Sequence, residues 1–231
     1  MQAVILAAGR GTRMGELTKD TPKPMLKVGG KNLLELKLEI LPPEVDEVIF
    51  IVGYFNEKIR NFFGNEYQGR KITYVEQANP VGGTADALWS AKDILKDKFL
   101  VMMGDDLYSQ KDIEEVCKYD WSLLIGKMNG KRGGGRIVFD NKGTITDIVE
   151  GEHEEEVWWS GTNMFALDTR VFAQKPVPKA EGSTEVGLPQ TVLAASRAQG
   201  IPLNAVKASF WFQITSPEDL VKAEEVLQKM A

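Results

Sequence analysis

The sequence predicts an α/β protein: a Rossmann-like, mostly parallel sheet with helices on both faces, plus a smaller β-rich region. Three observations carry this. Short apolar runs alternate with amphipathic helical segments through the first 120 residues. From Trp121 onward the rhythm changes to strands joined by short turns. A chain of 231 residues, 43% of them hydrophobic, can bury one sizeable core, and no internal repeat or low-complexity linker divides it. The expected organisation is a single domain over residues 1–231 with two halves, 1–120 and 121–231.

In the first half, residues 3–8, 45–52, 72–76 and 99–103 are apolar runs of strand length. Between and after them, residues 32–41, 57–63, 84–95 and 112–118 have helical spacing. In 84–95, Ala87, Leu88, Ala91 and Leu95 share one face while Lys92, Asp93 and Lys96 point elsewhere. In the second half, 122–127, 136–139, 144–149 and 157–166 read as strands, and Asp140-Asn141-Lys142-Gly143 is a hairpin connector. A helix follows over 185–199, then strands at 203–206 and 210–214. The last helix, 217–229, has Pro217 in its first turn, Ser216 as cap and Glu218 and Asp219 near its start.

Charge narrows the function classes. With 28 basic and 33 acidic residues the net charge is -5. That argues against a broad nucleic-acid surface but leaves room for a local basic pocket that takes a phosphorylated small molecule. Cys117 is the single cysteine, so neither an intrachain disulfide nor a cysteine metal cluster can form. The apolar start, residues 1–8, is far too short to span a bilayer and lacks the basic region of a signal peptide. A cytoplasmic protein without membrane partners is expected.

The first chemical motif follows the first strand. In LAAGRGTRMGELTKDTPKPML, Gly9 and Gly11 bracket Arg10, Arg13 follows, and Pro22 and Pro24 flank Lys23. A glycine-rich turn after a parallel strand can bring backbone N–H groups against phosphate oxygens. The dinucleotide fingerprint fails, because Met14 stands where its third glycine belongs, and the Gly-Lys-Ser/Thr of a Walker loop is absent. The two prolines disfavour helix and predict that Lys23 sits on a rigid, extended loop. A flexible glycine turn beside a pinned lysine suits a polyphosphate.

LAAGRGTRM followed by LTKDTPKPMLKVGGKNLLE resembles the signature of the sugar-phosphate nucleotidyltransferases, which join a nucleoside triphosphate to a sugar 1-phosphate and release pyrophosphate. EQANPVGGTADAL resembles the family's base-binding segment, VMMGDD its metal-binding strand end, GGGRIVFDNKGTITDIVEG its sugar-side hairpin and WFQITSPEDLVKAEEVL its closing segment. The resemblance implies that 1–120 is the nucleotide-binding half and 121–231 the sugar-binding half. By it, Leu6, Ala8, Gly9, Gly11, Thr12, Arg13 and Lys23 hold the nucleotide, Gln77 and Gly82 contact a pyrimidine base, and Gly135, Glu150 and Gly161 meet the sugar. Asp105 becomes the Mg²⁺ ligand, and Arg13, Lys23 and Asp105 the catalytic set. UTP is the expected nucleotide, with dTTP and CTP as alternatives. The oligomeric state is not read from the sequence.

Three departures mark this chain. The family's second metal-binding aspartate is replaced by Gln213, which can offer a neutral oxygen to the metal. Asp219 is a poor substitute because it lies inside a helix start. Glu150 is followed by Gly151 where the family often has a lysine that reaches the sugar phosphate, so that charge is either supplied from elsewhere, with Arg136 as the stand-in, or missing. Around Ser160-Gly161 the Asn-Ala-Gly order is lost, a variation that resembles the branch acting on N-acetylmuramate 1-phosphate. Asp106 is expected at a turn or helix cap, and His153, inside an acidic turn, is expected to be solvated. No hexapeptide repeat follows, so no acetyltransferase-type domain is expected in this chain. Two other readings stand beside the sugar-phosphate enzyme: a cytidylyltransferase for a small phosphorylated alcohol, and a nucleotide or nucleotide-sugar binding protein without turnover.

Overall fold

A computed structural model describes residues 1–230. In chain order its elements are β1 (Gln2–Leu6), β2 (Lys27–Val28), β3 (Lys31–Asn32), α1 (Leu33–Ile40), β4 (Glu47–Val52), α2 (Asn56–Phe63), β5 (Glu66–Tyr67), β6 (Arg70–Glu76), α3 (Thr84–Trp89), β7 (Lys98–Met103), β8 (Asp106–Tyr108) and α4 (Gln110–Val116). The second half adds β9 (Trp121–Asn129), β10 (Arg132–Phe139), β11 (Ile145–His153), β12 (Val157–Asp168), α5 (Leu188–Gln199), β13 (Leu203–Lys207), β14 (Trp211–Gln213) and α6 (Pro217–Met230).

One ten-stranded sheet runs through the molecule in the order β11-β10-β12-β7-β1-β4-β6-β5, with β9 beside β12 and β13 beside β9. Its centre is parallel: β1 pairs with β4 and β7, and β4 with β6. These strands are buried on both faces, which is why they read as continuous apolar runs. Alternate residues feed two cores. Val4, Ile49, Ile51 and Val101 meet α3 and α5, whereas Ala3, Phe50, Leu100 and Met102 meet α1, α2 and α4. A third cluster, with Met14, Leu107, Ile214 and Ala223, lies under α6.

β12 is the hinge of the architecture. Its first part pairs with β10 at Ser160, and its last part pairs with β7 from Phe165. Between them the register slips at Gly161–Phe165, and Asn163 takes a left-handed φ of 57°. The sheet therefore splays between β10 and β7 and leaves a cavity there, at the carboxyl ends of the parallel strands.

Local chemistry sets the helix bounds. Asn32 and Glu35 form a reciprocal capping box that starts α1. The predicted helix over 84–95 keeps its α-helical form only through Trp89. The Ser90 hydroxyl back-bonds to the Asp86 carbonyl, and tighter bonds from Ala91 and Ile94 to carbonyls three residues earlier carry the chain on. The predicted helix over 185–199 starts at Leu188, because Val186 is committed elsewhere: it donates to the Gly82 carbonyl and accepts from Ala85. The 140–143 connector forms the expected turn, with Asp140 Oδ1 accepting from Lys142 and Thr144 and Gly143 at a φ of 83°.

Two further expectations are corrected. The segment around Lys23 is not extended: residues Lys23–Met25 make one 3-10 turn, with Pro24 at a first-turn position that needs no N–H. His153 is not solvated. It is 5% exposed, its Nε2 lies 2.9 Å from the Gly134 carbonyl, and its ring packs against Trp158. The antiparallel pairing of β10 with β11 turns it inward.

Candidate active site

Two adjoining cavities share Leu6, Gly9 and Met103, so the end of β1 forms their common wall. The smaller, about 160 Å³, is lined by Gly9, Gly11, Arg13, Lys23, Asp105 and Thr215, among others. Gly11 sits at φ 64°, and a Cβ there would stand 2.8 Å from Lys23 Cβ, so glycine is what lets the two ends of the opening loop meet. Thr18 fixes the turn by donating to the Gly11 carbonyl at 3.0 Å. Lys23 is 6% exposed, and its ammonium donates to Asp105 Oδ2 at 2.5 Å and to the Ile214 carbonyl. One lysine thus ties the opening loop, the end of β7 and the segment after β14. Asp105 keeps a quarter of its side chain exposed. The Arg13 side chain is exposed at the mouth.

The residue behind Asp105 corrects a sequence expectation. Asp106 is neither a turn residue nor a cap: it opens β8, lies opposite Gln213 of β14 and is 3% exposed. Trp211 Nε1 donates to its carboxylate at 2.8 Å, and the Lys37 ammonium donates to its carbonyl. Burial, reinforced by the negative charge of Asp105, pushes the Asp106 carboxyl up to about 7. Burial also pulls Lys37 down to about 8, against the raising effect of the two aspartates. Lys37 was not picked out from the sequence. Its signal was available: it shares the buried face of α1 with Leu33, Leu34 and Leu38.

The larger cavity, about 380 Å³, joins the segment 77–87 to the glycine-rich strand β10. Gln77 lines it, but its amide nitrogen already donates to Asp86 Oδ2 at 2.9 Å and to the Gly83 carbonyl at 3.2 Å. Its carbonyl is the end left for a ligand. Gly135 and Glu150 face each other in register on β10 and β11, and both line the cavity with Gly161. Among the lining residues that sequence reasoning missed are Asn163, Lys179, Glu185 and Gln190: the β12 bulge and a loop bring in the first three, and the first turn of α5 the fourth.

Not every expected residue arrives. Thr12 is exposed and lines neither cavity. Gly82 is buried behind the wall, and its neighbour Gly83 takes the lining position. Arg136 does not supply the missing charge: it pairs with Glu155 at 3.4 Å and lines neither cavity. Lys179 is the cation that lines the larger cavity among the described residues. Asp219 turns back as expected, its Oδ2 accepting from the Thr215 and Ser216 backbone at 2.9 Å.

Asp105 offers hard carboxylate oxygens beside a phosphate-sized cleft, which fits a magnesium ion held mostly through substrate phosphates and water. No cluster of three or more His, Cys, Asp or Glu side chains placed for a metal occurs among the described residues.

Residues 2–229 match the nucleotidyl transferase family, and the chain belongs to that family. The bifunctional protein GlmU of Methanocaldococcus jannaschii is 30% identical over 230 residues, covering 98% of this chain and 54% of that protein. The chain thus spans about half the length of the GlmU relatives it matches. AglF of Haloferax volcanii, a UTP–glucose-1-phosphate uridylyltransferase, is 30% identical over 241 residues, covering 99% of this chain and 97% of AglF. A solved Bacillus anthracis structure, carrying the name glucose-1-phosphate thymidylyltransferase, superposes with a TM-score of 0.82 at 24% identity, covering 100% of this chain and 96% of that one.

Proposed function

We propose that this protein condenses a pyrimidine nucleoside triphosphate, UTP first, with a sugar 1-phosphate, giving a nucleotide sugar and pyrophosphate. The observation that carries the reading is the joined pair of cavities. The smaller holds Arg13, Lys23 and Asp105, and the larger has the size and polar wall of a base-and-sugar site. Membership of the nucleotidyl transferase family and the likeness to AglF along nearly its whole length support it.

The acceptor phosphate is already anionic near neutral pH, so attack on the α-phosphorus needs no general base. The chain's work is positioning and charge neutralisation. Arg13 meets the departing pyrophosphate. Lys23 stabilises charge at the α-phosphate, which requires its ammonium to leave Asp105 or be shared with it. Gln77 accepts from the imide N–H of uracil or thymine, which matches its free carbonyl. Mg²⁺ on Asp105, with Gln213 as a neutral second ligand, would supply Lewis-acid neutralisation of phosphate charge.

The test is pyrophosphate release with Mg²⁺, with UTP, dTTP, CTP, ATP and GTP each offered against pooled sugar 1-phosphates, and D105A alongside. Release with one pyrimidine nucleotide, lost in D105A, is expected. Silence with every nucleotide overturns the reading and favours a phosphorylated alcohol as acceptor or a binder without turnover. Gln213 motivates that last reading. Q213D separates the two: turnover that first emerges in Q213D marks a site that has lost catalysis.

A further inference from the structure

Among the described residues, three buried side-chain polar atoms lack a hydrogen-bond partner: Arg136 Nε, Asn163 Oδ1 and Gln190 Oε1. Two of these belong to side chains that line the larger cavity. Buried polar atoms are nearly always paired, so two orphan acceptors at one cavity call for a ligand that brings donors.

The orientation of Gln190 is fixed by its neighbour. Nε2 donates to Glu150 Oε1 at 2.7 Å, and a carboxylate can accept only from the nitrogen end of the amide. The carbonyl must therefore face the other way. Glycines keep room at both ends of the pair. A Cβ at Gly187 would lie 1.9 Å from Gln190 Oε1, and one at Gly135 would lie 2.8 Å from Glu150 Oε1. The orphan carbonyl lies against Gly187, which lines the cavity as Gln190 itself does, so the carbonyl is on the cavity side while Nε2 stays on Glu150. Asn163 reaches the same wall from the left-handed bulge in β12.

We propose that Gln190 is a specificity-determining residue that works as a pair with Glu150: it orients the Glu150 carboxylate with its nitrogen and accepts an acceptor-substrate hydroxyl with its oxygen. Asn163 provides a further acceptor. The pair selects phosphate monoesters that carry neighbouring hydroxyls, which means sugar or cyclitol phosphates. An alcohol phosphate ending in a quaternary ammonium brings no donor and would leave these acceptors unpaired. No aromatic side chain lines the cavity, among the described residues, to receive such a cation. This inference rests on the nucleotidyl-transfer reading and adds to it the residue that reads the acceptor.

The test compares wild type with Q190M in two measurements. Equilibrium binding of glucose 1-phosphate, its monodeoxy analogues and choline phosphate is measured by calorimetry. Steady-state pyrophosphate release is then measured with the same compounds. Wild type is expected to bind glucose 1-phosphate in preference to choline phosphate and to lose about tenfold or more with one particular deoxy analogue. Q190M is expected to lose a similar factor with the full substrate and to be indifferent to that same hydroxyl, with the nucleotide KM unchanged. Equal sensitivity of Q190M and wild type to every hydroxyl overturns the proposal, as does a parallel rise in both KM values or a failure of wild type to prefer glucose 1-phosphate. Hydroxyl-selective binding without turnover would overturn the nucleotidyl-transfer reading and leave the role of Gln190 standing.

Discussion

The Lys23 ammonium donates to Asp105 and to the Ile214 carbonyl, so its removal takes away the cation proposed to meet the α-phosphate and unties three segments at once. K23A should lower pyrophosphate release at least a hundredfold, since one lost charge-stabilising donor costs about 3–4 kcal/mol of barrier. K23R should not restore it, because a planar guanidinium does not fit a site built around a nearly buried ammonium. Single-turnover assays check both. Asp106 gives a prediction of another kind. Its folded pKa, about 7, stands above its ordinary 3.8, so between those values the native carboxyl holds a proton that the unfolded chain has released. Its contribution to stability therefore falls as pH rises from 4 to 7, by up to about 1.4 kcal/mol per unit. Lys37 acts in the opposite sense and higher up: with a folded pKa of about 8 against 10.5, it makes stability rise with pH across that window. Urea denaturation between pH 4 and 7 should show a shallower decline in D106N than in wild type. Equal slopes would mean that Asp106 is ionised throughout. The sequence could point to Lys23 because its two prolines are local. It could not give the burial of Asp106, which depends on β14 folding back from more than a hundred residues away.

At the scale of elements, the central strands were legible because burial on both faces leaves an unbroken apolar run. The helix expected over 32–41 was equally local, its start set by residues three apart, Asn32 and Glu35. What escaped were pieces defined by partners distant in sequence: the short strand β8 and its pairing with β14, the true start of α5 and the inward turn of His153. The start of α5 matters to function. Val186 bonds both Gly82 and Ala85, and Thr84 Oγ1 accepts from Leu188, so the turn at 82–84 and the loop that carries Lys179 and Glu185 are tied together. Gly83 makes that junction possible. Its φ is 90°, and a Cβ would stand 2.4 Å from the Val186 carbonyl. G83A should therefore destabilise the protein by roughly 2–4 kcal/mol, combining left-handed strain with overpacking. It should also raise the KM of both substrates together, unlike a change at Gln190. A rise confined to the nucleotide would show that the two loops act separately. Chemical denaturation and two-substrate kinetics read the outcome.

The molecule as a whole carries no composition break at residue 120, and its sheet shows why none is needed. β7 belongs to the first half, yet one of its two neighbours is β12, paired from Phe165↔Val101 to Asp168↔Lys98. The core on that face mixes both halves, with Ala85, Leu88 and Phe99 packed in one cluster with Trp121, Phe165, Leu188 and Val192. A fragment of residues 1–120 would expose the edge of β7 and strip α3 of α5, leaving an apolar face with nothing to cover it. The halves should therefore unfold together. Four of the five tryptophans, Trp121, Trp158, Trp159 and Trp211, lie in the second half. Among the described residues the α-helical content divides almost evenly, α1–α4 in the first half and α5 and α6 in the second, so tryptophan fluorescence weights the second half whereas far-ultraviolet circular dichroism samples both. Their urea transitions should superimpose, with one midpoint and one slope, as a single cooperative unit requires. Two separated midpoints would mean that the first half is stable without β12 and α5. The cavity between β10 and β7 would then lie between two units that fold apart, so that acceptor binding would have to assemble it.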